Sequence, residues 1–123
     1  MVTFPASVGI YLATESVDGR RGIDGLAALV QSQMQLDPLS GHLFLFLSRR
    51  GHMARILFWD RSGFILITKR LERGRFRFPR AMPTGTARVS IDASELALLL
   101  DGIDLRGATR RPRWQPASEA RLT

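Results

Sequence analysis

Arginine carries most of the chemistry this sequence can offer. Of its eighteen basic residues all but Lys69 are arginines. A guanidinium is planar, permanently charged and matched in shape to the fork of a phosphate. The basic residues are also concentrated. Between Arg49 and Arg80 lie ten Lys/Arg and two acids, Asp60 and Glu72, a net of +8 that accounts for the chain's whole excess of +7. A GC-rich coding sequence would favour arginine codons as well. Even so, a pI near 11.5 points to an anionic partner, most often nucleic acid.

The candidates for phosphate contact are Arg49, Arg50, Arg55, Arg70, Arg73, Arg75 and Arg77, with Lys69 beside them. Arg20 and Arg21 join them because they lie at the start of a predicted helix, where free backbone N–H groups favour an anion. The plainer reading of that pair is two solvated arginines.

Other chemistry has little to work with. No cysteine is present, which removes disulfides and thiolate metal sites. No serine stands in a nucleophile-elbow context. His42 adjoins an apolar run and reads as a structural turn residue, and His52 as a loop residue or phosphate contact. Asp18, Asp24, Asp60 and Glu72 are the carboxylates from which a two-metal nuclease site would be built. No strand pattern joins them, and no metal-ligand spacing or glycine-rich phosphate loop is present. The expectation is a non-enzyme with no cofactor and no metal, a metal-dependent nuclease being the residual alternative.

The elements that must position these arginines are short. Val8 to Thr14 is a plausible first strand, followed by Asp18 as the expected N-cap of a helix over about Arg20 to Gln35. Ile23, Leu26, Ala27, Val30 and Met34 form its apolar stripe. Leu43 to Leu47 is apolar throughout, the mark of a strand covered on both faces. Ala54 to Trp59 and Phe64 to Arg70 follow, each bounded by a turn signal. Arg75-Phe76-Arg77-Phe78 alternates strictly, which predicts a strand with phenylalanines on one face and arginines on the other, ended by Pro79.

Arg88 to Ile91 offers a last strand. Asp92-Ala93-Ser94-Glu95 has the spacing of a capping box before a short helix carrying Leu96, Leu99, Leu100 and Ile103, stopped by Gly102. The fold class is therefore α+β: a mostly antiparallel sheet of about five or six strands with two helices packed on it. Residues 1–106 read as one domain, and 107–123 as a basic, proline-punctuated tail with Trp114 as a possible stacking group. The N-terminus shows no signal-peptide pattern and no apolar run approaches the ~20 residues that span a bilayer. A cytoplasmic protein without membrane contact is expected.

Two longer motifs carry a resemblance. Arg20-Arg21-Gly22-Ile23-Asp24-Gly25-Leu26-Ala27-Ala28-Leu29-Val30 resembles the R-K-G-F-D-G-L-A-A-L-V signature of the small TnpB accessory proteins of IS-sixty-six-type bacterial insertion sequences. Asp37-Pro38-Leu39-Ser40-Gly41-His42-Leu43-Phe44-Leu45-Phe46 is similar to that family's D-P-F-S-G-H-L-F-V-F. Arg49-Arg50-Gly51, Ile56 to Asp60, Lys69 to Phe76 and Leu96 to Asp104 match in order, so the likeness runs from about Phe4 to Arg106. Leu105 stands where the family commonly has tryptophan, and His52 where it often has an acid. The resemblance implies the product of a transposable element's second reading frame, acting beside a separate DDE transposase and distinct from the RNA-guided nucleases that share the TnpB name. It supplies no catalytic residues.

Two readings follow. The first is a non-catalytic accessory factor of DNA transposition that binds DNA through an arginine-rich sheet surface. The second is an adaptor that docks on the element's transposase through Trp59, Phe76 and Phe78 with an arginine rim.

Overall fold

The computed structural model describes residues 8–78, 81–101, 103–104 and 109–110. Five strands form one sheet: β1 (Ile10–Ala13), β2 (Leu43–Leu47), β3 (Met53–Trp59), β4 (Phe64–Arg70) and β5 (Arg88–Ile91). Their order is β4-β3-β2-β1-β5. Among these five strands only β1 and β2 pair in parallel, because helix α1 (Ile23–Ser32) carries the chain back between them. The pairs β2–β3, β3–β4 and β1–β5 are antiparallel, so the sheet is mostly antiparallel as its turns foretell.

Both faces are covered, which is why β2 is buried at every position. Leu43, Leu45 and Leu47 face one core with Ile10, Leu12, Ile56, Phe58 and Leu99 of helix α2 (Ala93–Asp101). Phe44 and Phe46 face the other, against Leu26, Val30 and Met34 from α1 and its C-terminal turn. Each fully buried leucine or phenylalanine contributes about 1.5–3 kcal/mol relative to exposure. The α1 stripe holds except at Ile23, which is 36% exposed at the first turn.

Helix α1 begins later than the sequence suggests. Gly22 is its N-cap and makes no side-chain cap bond. Asp18 instead closes a local turn: its Oδ1 accepts the Arg20 N–H at 2.9 Å and its carbonyl accepts the Arg21 N–H at 3.1 Å. Helix α2 starts as expected. Asp92 Oδ1 accepts the Glu95 N–H at 2.7 Å, and Glu95 Oε1 accepts the Asp92 N–H at 3.1 Å, a reciprocal capping box.

One strand is missing from its predicted place. Arg75 to Phe78 forms no ladder. The sheet order explains this: β5 lies at the edge opposite β4, so the link between them must cross four strand spacings, about 19 Å. Leu71, Phe76, Phe78 and Met82 on that link all pack against the α2-side core. The alternation of RFRF reflects burial without pairing. Phe76 is buried and Phe78 half-buried, while Arg75 and Arg77 are exposed.

Two short strands, β6 (Ile103–Asp104) and β7 (Thr109–Arg110), pair antiparallel. Gly102 as a helix stop, Pro79 as a strand end, Leu105, and Trp114 with the rest of the tail from 111 onward lie outside the described residues.

Candidate nucleic-acid interface

The register gathers the predicted arginines at one end of the sheet. Met53, the first residue of β3, lies opposite Arg70, the last of β4. Val17 bridges to Ser48 just past β2, which brings the loop ahead of α1 alongside the β2–β3 turn. The turn with Arg49 and Arg50, the end of β4 and the loop with Arg20 and Arg21 therefore share this end. It is the carboxyl end of the parallel pair β1–β2, where open sheets commonly bind ligands.

The link from β4 supplies Arg75. The Leu71 N–H donates to the His52 carbonyl at 2.8 Å, and the Phe76 N–H donates to the Gly51 carbonyl at 2.6 Å. These bonds hold the link against the β2–β3 turn. Gly51 has φ +76°, and a Cβ there would stand 3.3 Å from the Arg75 Cβ, so the turn and the arginine stem are in close contact. A cleft of about 280 Å³ results, with Arg49, Arg50 and Arg75 around it and Leu47, Phe76 and Phe78 among its apolar lining. Among the described residues, none of these three arginines hydrogen-bonds or pairs with a carboxylate.

Ser16 and Ser48 also line the cleft and were not singled out by sequence. Ser48 is buried, and its Oγ accepts the Met53 N–H at 3.1 Å, which ties the start of β3 to the turn. The signal was present only as the residue opening the Ser48-Arg49-Arg50-Gly51 turn.

Other predicted arginines have structural partners. Arg55 is only 9% exposed and donates to the Gly19 carbonyl at 3.2 Å and to the Arg21 carbonyl. It points to the α1 side of a strand whose neighbours are buried, so it cannot join an exposed surface. Lys69 donates to the Leu100 carbonyl at 2.6 Å, near the C-terminal end of α2, where a cation is favoured. Arg88, which was not among the candidates, does the same for the Met34 carbonyl after α1. Three sheet cations thus anchor the loops and helix ends that lie on the sheet.

Arg20 is exposed and paired with Asp18, its Nη2 3.1 Å from Oδ2. The Asp18 carboxyl is held down to about 2, first by the hydrogen bond from the Arg20 guanidinium and then by the Arg20 N–H, with Arg49 adding a weaker field. Arg21 is exposed with its stem over Gly25. Arg70, Arg73 and Arg77 are exposed.

His42 and His52 lie in the loops just ahead of β2 and β3. His42 Nδ1 accepts the Gly9 N–H at 2.8 Å, and its ring meets Tyr11 edge-on at 5.5 Å. The described residues contain no cluster of three His, Cys, Asp or Glu able to hold a metal ion, and none of their helices is long and apolar enough to cross a membrane. Trp59 is half-buried and packs edge-on to Phe64 at 5.1 Å.

Residues 8–110 match the family model described as IS66 Orf2-like protein. The chain belongs to this family. Membership assigns the IS66 Orf2-like chain to the accessory proteins associated with transposition of bacterial insertion sequences. It is 40% identical over 111 residues to the uncharacterized protein y4jC of Sinorhizobium fredii (strain NBRC 101917 / NGR234), covering 90% of this chain and 92% of that one. A second protein of that strain, the uncharacterized y4hO, is also 40% identical, over 89% of this chain and 91% of its own. No solved structure matches the IS66 Orf2-like chain.

Proposed function

We propose that the protein is a non-catalytic accessory factor of transposition that binds DNA at the basic end of its sheet. The observation that carries this reading is the meeting of Arg49, Arg50 and Arg75 in one cleft without carboxylate partners among the described residues. Arg20, Arg21, Arg70 and Arg73 extend the positive surface around it, and Arg77 adds charge on the exposed side of the link. Arg55 and Lys69 are engaged with backbone carbonyls and contribute no free guanidinium or ammonium to it. Phosphate contacts of this kind give affinity with little sequence choice. Duplex binding by the purified protein at low salt tests the reading, and a folded protein without duplex affinity contradicts it.

The adaptor reading is favoured by a separate feature. β4 is an edge strand, and Ile67 on it is 46% exposed. Of the aromatic anchors, Phe76 is buried in the core and cannot serve, which leaves half-buried Trp59 and Phe78. Co-purification with the element's transposase, lost on Ile67→Glu and kept when the cleft arginines are replaced, is the result that supports it.

A further inference from the structure

The cleft offers more than charge. It joins three arginines to an apolar lining that includes Leu47 and Phe78, with Ser16 and Ser48 beside them. Phosphate neutralisation alone would require only the arginines, on a convex or flat surface that follows a duplex backbone. An aromatic wall inside a concavity suits a planar apolar group, and in DNA that group is a base. A paired base is stacked within the duplex and cannot reach it. An unpaired base can, with its phosphate left on the arginine rim. At about 280 Å³ the cleft is on the scale of one nucleotide, and a base still stacked in a duplex cannot turn into it.

From this combination we infer that the cleft is a site for one unpaired nucleotide of single-stranded DNA, its phosphate held by Arg49, Arg50 and Arg75 and its base against Phe78. The inference rests on the DNA-binding reading and narrows it: duplex phosphates meet Arg49, Arg50 and Arg75 at the rim, and a frayed or single strand gains the apolar wall of the cleft as well.

Fluorescence anisotropy with a labelled twelve-nucleotide oligo-dT and the matching oligo-dT/oligo-dA duplex, at one fixed salt concentration, tests it. The single strand is expected to bind the tighter of the two. Phe78→Ala lowers single-strand affinity about tenfold, the scale of one lost base–aromatic stack, and leaves duplex affinity within about twofold. Phe78→Leu, which keeps an apolar group against the core without a π face, loses the single-strand preference as the alanine does, and Phe78→Trp retains it. Arg75→Ala weakens both ligands. Competition by free thymidine monophosphate at concentrations far above those of the oligonucleotide supports the site and identifies a strand as its better ligand. Equal affinity for both DNAs, or equal loss on Phe78→Ala, overturns the inference while leaving DNA binding intact. Absence of binding to either DNA overturns the DNA-binding reading and the inference together. Tighter binding of a phosphotyrosine peptide than of oligo-dT assigns the cleft to a protein partner and overturns the inference.

Discussion

The backbone N–H of Phe76 donates to the carbonyl of Gly51 at 2.6 Å, joining residues of two different loops. That bond seats Phe76 in the core and sets the preceding residue, Arg75, against the turn bearing Arg49 and Arg50. Burial and function are coupled here through one backbone contact. Phe76→Ala is expected to cost about 3–5 kcal/mol, the range for emptying a buried aromatic site. Arg77→Ala, one residue on and exposed, should change stability by no more than about 0.5 kcal/mol. Urea denaturation of both variants checks the contrast.

Gly51 admits the approach of Arg75 because it lacks a side chain and holds φ +76°. Gly51→Ala combines a left-handed alanine, costing roughly 1–2 kcal/mol, with a methyl pressed on the Arg75 stem. Both stability and DNA affinity should fall, the affinity measured under conditions where the variant remains folded. Unchanged affinity would show that Arg75 acts independently of the turn.

Arg55 and Arg50 should separate structural from binding arginines. Removing Arg55 leaves the part-buried carbonyls of Gly19 and Arg21 without their donor and empties a buried side-chain site. Arg55→Ala is expected to destabilise by about 2–4 kcal/mol. Arg50→Ala, at an exposed turn, should leave the unfolding midpoint nearly unchanged and weaken DNA binding. Thermal melts beside binding isotherms distinguish the two.

Much of this organisation could be read from the residues, for physical reasons that also mark where reading fails. Leu43 to Leu47 is apolar on both faces because helices cover both, so its strand bounds were evident. The capping box of α2 is encoded within four residues and was equally plain. Asp18 was misassigned because an aspartate that closes a tight turn and one that caps a helix look alike in sequence. Arg75 to Phe78 showed which side chains are buried, but a period of two does not say whether the backbone finds a ladder. That choice was made by the distant position of β5. Arg55 stands alone among the apolar residues of β3, a pattern that does announce a buried arginine. The cleft itself was not legible, since Arg50 and Arg75 meet only through the fold.

Asp18 gives the pH dependence a definite sign. Its carboxyl titrates near 2 in the folded protein and near 3.9 when unfolded. Between these values the unfolded chain binds more protons, so the contribution of Asp18 to stability is present above about pH 4 and fades as pH falls toward 2. Asp18→Asn keeps the turn acceptor and removes the titration. The variant's stability should fall less steeply than that of the parent from about pH 4.5 downward, as followed by denaturation midpoints.

The most direct test of the basic end is duplex affinity measured across a salt series. Each phosphate neutralised contributes about −0.9 to the slope of log K against log salt. Replacing Arg49, Arg50 and Arg75 together with alanine should flatten the slope by about 2–3 units. Arg61→Ala, in the β3–β4 turn at the opposite end of the sheet, should leave it unchanged. A folded triple variant that keeps the parent's slope, or a parent with no duplex affinity at low salt, would contradict the account.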